Sequence, residues 1–251
     1  MAKDKQYEEM VNTEADAVKE SSKKYDDLIA TLILISTSNR PKREKFLMIE
    51  KEAEKMRDFN AEFAQRKIED TYAKFSKEAA KDIGEIKKKL TAGEESEAKN
   101  LAQKLEISLK KRVDVLINQA KELVTKEELA KIRESKLGMT DGTDKVQITP
   151  KKTKPDLVFI DSKGRKVTMD AVMKITVGDN IWETIFDSKR AVYLEYGFRY
   201  AKHISVLDDK TTDICLALDQ TVRDLTKDKI PPMHPNCRSR IKIITDPTFK
   251  P

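Results

Sequence analysis

An apolar stripe stepping by alternating threes and fours runs through much of the first half of this chain, and it fixes what that half can fold into. Phe46, Ile49, Ala53, Met56, Asn60 and Phe63 keep this step. After a shift, Ile68, Tyr72, Phe75, Ala79, Ile83, Ile86 and Leu90 continue it. Such positions share a face only on a helix. The run predicts one helix of about 45 residues with coiled-coil-like spacing, too long to be satisfied by a small lone core. Upstream, Tyr7, Met10, Val11, Val18, Tyr25, Leu28, Ile29, Leu32 and Ile33 predict a helix from Tyr7 to about Thr37. The segment Ser36–Asn39 followed by Arg40–Pro41 reads as a stop and a restart, with Pro41 in the first turn. Downstream of a turn at Thr91–Gly93, a third stripe holds Ala98, Leu101, Leu105, Leu109, Val113, Leu116, Ile117, Ala120 and Leu123. Thr125–Glu128 has capping-box spacing and predicts a short further helix ending near Gly138. These stripes either bury one another, in a bundle or a coiled-coil-like hairpin, or dock on another protein or another copy of the chain.

Composition agrees with long, solvated helices: 37% of residues are charged, with 7 glycines and 8 prolines in 251 residues. The net charge of +6 is a small difference between 50 cations and 44 anions. Residues 1–138 carry 30 against 28, leaving 20 against 16 for the rest. Neither part has the dense basic surface that neutralises many phosphates. The runs Lys87–Lys89 and Lys110–Arg112 read as solvated faces, with nucleic-acid contact as the alternative. The best apolar run, Leu28–Ile35, is far short of the roughly 18–20 residues of a membrane span, so no membrane partner is expected. With acidic residues and no apolar stretch at the start, no secretory signal is expected, and two cysteines make no disulfide framework, so a reducing cytosol is the expected setting.

Residues 139–156 lose all periodicity and collect Gly, Pro, Thr and Lys, the composition of a linker. The reading is therefore a mainly α protein: an elongated helical domain over 1–138, a linker, and a small α+β domain over 157–251. In the last part, 157–160 and 166–169 flank a turn and predict a hairpin. A helix is expected from Asn180 to about Lys202, a strand over 203–207 and another over 240–244.

Both histidines and both cysteines fall between His203 and Cys237, spaced His203-x11-Cys215-x18-His234-x2-Cys237. Imidazole nitrogen and thiolate sulfur are zinc donors, and a His-x2-Cys pair stiffened by Pro231, Pro232 and Pro235 can present two of them from one turn. The spacing lacks paired CxxC knuckles. Three readings stay open: a zinc held by His203, Cys215, His234 and Cys237; a packed cluster without metal; or a Cys215–Cys237 disulfide. No phosphate loop, paired metal-binding carboxylates or nucleophile elbow accompanies the cluster, so no enzyme is expected.

The segments HISVLDDKTTDICLALD (203–219) and PPMHPNCRSRIKI (231–243) resemble the C-terminal signature of phage head morphogenesis proteins, the minor head proteins typified by the F protein of phage Mu. Asp208 and Thr211 fit the first element, with Lys210 where the family has Arg. Cys215 fits the second element and Asp219 the third, with Gln220 in place of Gly. Pro231, Pro232, His234, Pro235, Asn236, Cys237 and Arg238 fit the last. The resemblance covers roughly residues 155–245 and does not reach the N-terminal helices.

It implies a structural protein of the virion, a few copies inside the head near the portal, present in the host cytoplasm during assembly. Its partners would be the portal protein, the major capsid protein, or both. Packaged DNA and self-association through the long helices are further expectations. The alternatives are a DNA-binding protein ejected with the genome and a virion-borne nuclease or toxin-like domain. Within the small domain, Asp208 or Asp209 is expected to cap the helix bearing Cys215, and Arg238 and Arg240 to pair with acids such as Asp219. Cysteine and histidine would then pin the last strand to that helix.

Overall fold

The computed structural model describes residues 5–137, 157–160, 164–246 and 249; the expected linker at 139–156 lies outside them. Three long helices come first: α1 (Lys5–Thr37), α2 (Lys42–Asp82) and α3 (Ala92–Leu137). A short antiparallel pair follows, β1 (Phe159–Ile160) with β2 (Lys166–Val167), in the register Phe159 to Val167. Next come α4 (Met169–Met173), a π-helical turn (Lys174–Gly178) and α5 (Asp179–Glu195). The remainder is a three-stranded antiparallel sheet with a small helix: β3 (Tyr200–Ile204), α6 (Asp213–Leu218), β4 (Val222–Asp224) and β5 (Arg240–Ile243). Strand β3 lies in the centre, between β4 and β5. The protein is thus mainly helical, with long N-terminal helices and a small mixed C-terminal region. No helix among the described residues is long and apolar enough to cross a membrane.

Contacts group the chain into two compact units whose limits cut through the helices. One comprises Met1–Ser22, Ala61–Ser108 and Asp170–Pro251; the other comprises Lys23–Asn60 and Leu109–Met169. In the second unit, Tyr25 of α1 is fully buried. Its hydroxyl donates to the Leu109 carbonyl of α3 at 2.8 Å and accepts from the Asn60 amide of α2 at 3.1 Å. One phenol therefore ties three helices together, in a unit where Leu32, Ile49, Val113 and Leu116 are also fully buried. In the first unit, Glu20 of α1 meets Arg66 and Lys67 of α2, and Glu9 meets Lys74. There α5 buries Ile181, Trp182, Ile185, Phe186, Val192 and Tyr193.

Two helices are shorter than their periodicity predicts, for one physical reason. Helix α2 stops at Asp82 rather than near Leu90, because Gly84 takes φ +79° and Glu85 N–H bonds back to the Ala80 carbonyl at 2.8 Å. A left-handed glycine after the last turn is the usual helix stop. Ile86, expected in the stripe, is 82% exposed. Helix α5 likewise stops at Glu195 instead of Lys202. Gly197 has φ +82°, Phe198 N–H bonds to the Tyr193 carbonyl, and β3 begins at Tyr200.

Helix α3, by contrast, runs unbroken through Thr125, whose hydroxyl bonds to the Lys121 carbonyl inside the helix. The capping box lies at its start. Thr91 N–H donates to Glu94 Oε2 at 2.8 Å, and Glu94 N–H donates to Thr91 Oγ1 at 3.3 Å. Lys87 is not a solvated residue: it is almost fully buried and paired with Glu94 and Glu195. Arg112 lies over the Phe159 ring.

Burial of α5 also sets a pH response. Desolvation, with Glu183 and Glu97 adding repulsion, pushes the Asp187 carboxyl up to about 6. The folded state holds this proton more tightly than the unfolded chain. Its contribution to stability is full below about pH 4 and is lost as pH rises through about 6. Asp187→Asn is expected to raise the melting temperature at pH 7.5 and leave it nearly unchanged at pH 4. A pH series of melts checks this, and an equal shift at both pH values would contradict it.

Candidate metal centre

The site is built from the loop before α6, the helix itself, and the turn before β5. Asp208 folds the loop: its backbone N–H donates to Thr211 Oγ1, and its carboxylate accepts from Lys210 N–H at 2.9 Å. Thr211 Oγ1 in turn donates to the Val206 carbonyl. Arg238 reaches this loop from the other side and grips Asp208 with two parallel bonds of 2.5 and 2.6 Å. The Arg238 fork, helped by the Lys210 amide, holds the Asp208 carboxyl well below the usual carboxylate range.

The expected pairing of Arg238 with Asp219 is therefore replaced by one with Asp208. Asp219 accepts from Ser205 N–H at 2.8 Å instead. The cap of α6 is also not Asp208 or Asp209. Thr212, in an extended conformation, accepts from Cys215 N–H, and Asp208 acts one turn earlier by shaping the loop that delivers it.

Cys215 sits on α6, 4% exposed, with its carbonyl bonded to Ser205 Oγ at 2.6 Å. Residues His234–Cys237 form a tight turn, closed by Cys237 N–H to the His234 carbonyl at 3.1 Å. Pro235 stands second in this turn. Asn236 stands third with φ +58°, the left-handed conformation that asparagine tolerates better than most residues. Asn236 N–H donates to the Asp179 carboxylate of α5 at 3.0 Å, so the turn is anchored. Pro232, joined to Pro231 by a cis bond, precedes it.

This architecture brings three donors together. Cys215 Sγ lies 3.1 Å from His234 Nε2 and 3.7 Å from Cys237 Sγ, and the three ligand atoms fall within 4.8 Å of one another. His234 Nδ1 lies 2.9 Å from the Pro235 carbonyl. A carbonyl can only accept, so Nδ1 carries the proton, and in the neutral ring Nε2 keeps its lone pair towards the sulfurs. Metal-binding histidines are oriented in this way.

Burial alone would raise the Cys215 thiol, but hydrogen bonds with Ser239, Thr212, His234 and Cys237 outweigh it and hold it below the ordinary thiol value. Tetrahedral zinc with Zn–S bonds of ~2.3 Å sets its sulfurs ~3.8 Å apart, and a sulfur and a nitrogen ~3.6 Å apart. The sulfur pair already has the required separation, and the Cys215–His234 pair has to open by a few tenths of an ångström. Both cysteines are free thiols. The group Cys215, His234 and Cys237 can hold a metal ion.

His203 does not join them. It is fully buried in β3, paired opposite Ile241, and neither ring nitrogen has a hydrogen-bond partner. Desolvation, reinforced by Arg223, lowers its pKa and keeps the ring neutral. Strand alternation sends His203 to the same inward face as Ala201, which a spacing argument along the chain does not register. His203→Leu is therefore expected to leave metal content unchanged and to raise stability by about 1 kcal/mol, because it removes an unsatisfied buried polar ring. Metal analysis and a denaturant titration check this; loss of metal would reinstate His203 as a ligand.

Gln220, standing where the resembled family has glycine, has φ +61°. The left-handed turn is kept, at a steric cost that glycine would not incur. Gln220→Gly is expected to add about 1 kcal/mol in denaturant unfolding, and a loss of stability would contradict this.

The residues that the sequence reading did not single out are Thr212, Ser205 and Asp179. Thr212 had a readable signal, a hydroxyl residue three places before Cys215; the others act through backbone contacts that leave no pattern. Compared with known proteins, the chain matches no family model, no curated protein and no solved structure.

Proposed function

We propose that this chain is a minor structural protein of a tailed-phage head, bound inside the capsid near the portal and acting in head assembly or DNA delivery, and that Cys215, His234 and Cys237 hold a structural zinc. One observation carries the reading. Segments 203–219 and 231–243, on which the resemblance to head morphogenesis proteins rests, meet in space through separate contacts. Arg238 grips Asp208, Cys237 meets Cys215, and His234 meets both Thr212 and Cys215. A signature whose elements bond to one another is what an architectural motif requires. The zinc would tie β5 to α6, replacing apolar burial in a region with a modest core.

Co-expression with the portal and major capsid proteins of the same genome tests the function. A complex with the portal protein that survives 1 M salt supports apolar helix docking. Binding to DNA that collapses steeply with salt, without any portal complex, would favour a DNA-binding role instead.

A further inference from the structure

Zinc held by Cys215, His234 and Cys237 would have three protein ligands, and the chain has little with which to complete the fourth. Its two cysteines are both used, and its second histidine, His203, lies outside the group. The nearby carboxylates are engaged elsewhere: Asp208 with Arg238, Asp219 with Ser205 N–H, and Asp179 with Asn236 N–H. Among the described residues no fourth Cys, His, Asp or Glu joins the group. Most structural zinc sites are closed by four protein ligands; a zinc held by three has its fourth position free for an exogenous ligand.

The surroundings favour an anion there. A void of about 20 Å³ is lined by Cys215, Thr212 and His234, together with Lys210 and Arg238. This is room for about one small ligand atom. The same Lys210, Thr212, His234 and Arg238 also line a cleft of about 380 Å³ together with Tyr7, Trp182 and Lys174. The cleft lining has one carboxylate, Glu14, which accepts from the Trp182 indole N–H at 2.7 Å, against Lys174, Lys210 and Arg238. Arg238 is held by Asp208, but Lys174 and Lys210 are exposed and have no ion-pair partner among the described residues. Two unspent ammonium groups beside an incompletely ligated dication make a site for negative charge.

We propose that the metal at Cys215, His234 and Cys237 keeps its fourth coordination position for an oxyanion, a carboxylate or phosphate group that enters through the cleft beside Lys210 and Lys174. The inference rests on the zinc reading and deepens it: the centre would be a docking point for an acidic group of a partner or ligand as well as a staple.

Cobalt(II) substitution of the full chain separates the two claims. Thiolate-to-cobalt absorption at one ion per chain reports the metal centre itself, and the ligand-field bands report the fourth position. Titration with inorganic phosphate and, separately, with acetate is expected to shift those bands saturably. The tighter of the two identifies the acidic group. Lys210→Ala is expected to weaken that binding roughly fivefold while leaving cobalt stoichiometry unchanged, and Lys174→Ala provides a second, independent reading. Cobalt bound with bands indifferent to both anions would overturn the open position and leave the metal centre standing. Equal anion affinity in wild type and both lysine variants would overturn entry through the cleft. No cobalt bound would overturn both the metal centre and this inference.

Discussion

The double variant His234→Ala, Cys237→Ser is expected to lose its zinc and to unfold the C-terminal sheet while the unit built on Tyr25, Asn60 and Leu109 stays folded. The size of the effect follows from what the metal replaces. A structural zinc can contribute on the order of 10 kcal/mol to folding, comparable with the whole stability of a small domain at roughly 5–15 kcal/mol. The protein contacts that remain between the segment entering β5 and the α6 region include the Arg238–Asp208 pair, a Ser239–Ser205 approach at 3.4 Å and the Ser239–Cys215 hydrogen bond. The ion pair is part-exposed, and such pairs contribute little when alone. Amide exchange is the measurement. Protection at Lys242 and Ile244, whose N–H groups face β3, should vanish in the variant, while protection across the buried stretch of α3 from Leu109 to Val124 persists. Retained protection of β5 in zinc-free variant protein would reduce the cluster to a packing feature.

The second large effect is expected in the other unit. Lys45 has a fully buried side chain, and its ammonium donates to the Ser36 carbonyl at 2.8 Å, 3.7 Å from Glu127. Ser36 lies in the last turn of α1, where carbonyls have no partner within the helix. A buried cation there satisfies one of them and complements the negative end of the helix dipole. Lys45→Ala leaves that carbonyl bare, removes the Glu127 partner and opens a cavity. Together these are expected to cost about 3 kcal/mol. Lys45→Met fills most of the cavity but cannot donate, so its cost should be smaller, about 1–2 kcal/mol. Urea titrations of the three proteins give the ranking, and a Met variant as stable as the wild type would show that the buried charge contributes nothing.

Much of the helical architecture was legible because a helix repeats its burial every turn, so the stripes through Leu32, Phe63 and Leu105 announce themselves. Helix ends were less legible. At Gly84 and Gly197 the apolar spacing continues past the stop, and a single left-handed residue overrides it. Thr125 shows the converse: it has the letters of a cap but lies inside α3, while Thr91 and Glu94 have the same letters and form the cap. The candidate metal site was legible as a set of rare residue types. Its geometry was not, because whether a histidine reaches a cluster depends on strand face and loop path. His203 and His234 look equivalent in the sequence, yet one is sealed in β3 and the other is presented by the turn at Pro235 and Asn236. The Asp208–Arg238 pair was readable only as a need for an acidic partner, since 30 residues separate the two.

The proposed role is tested most directly by quantitative mass spectrometry of intact phage particles treated with external protease. A few copies of this chain per particle, protected until the capsid is opened, is the expected result. Its absence from purified particles, or its removal by protease from intact ones, would contradict a place inside the head.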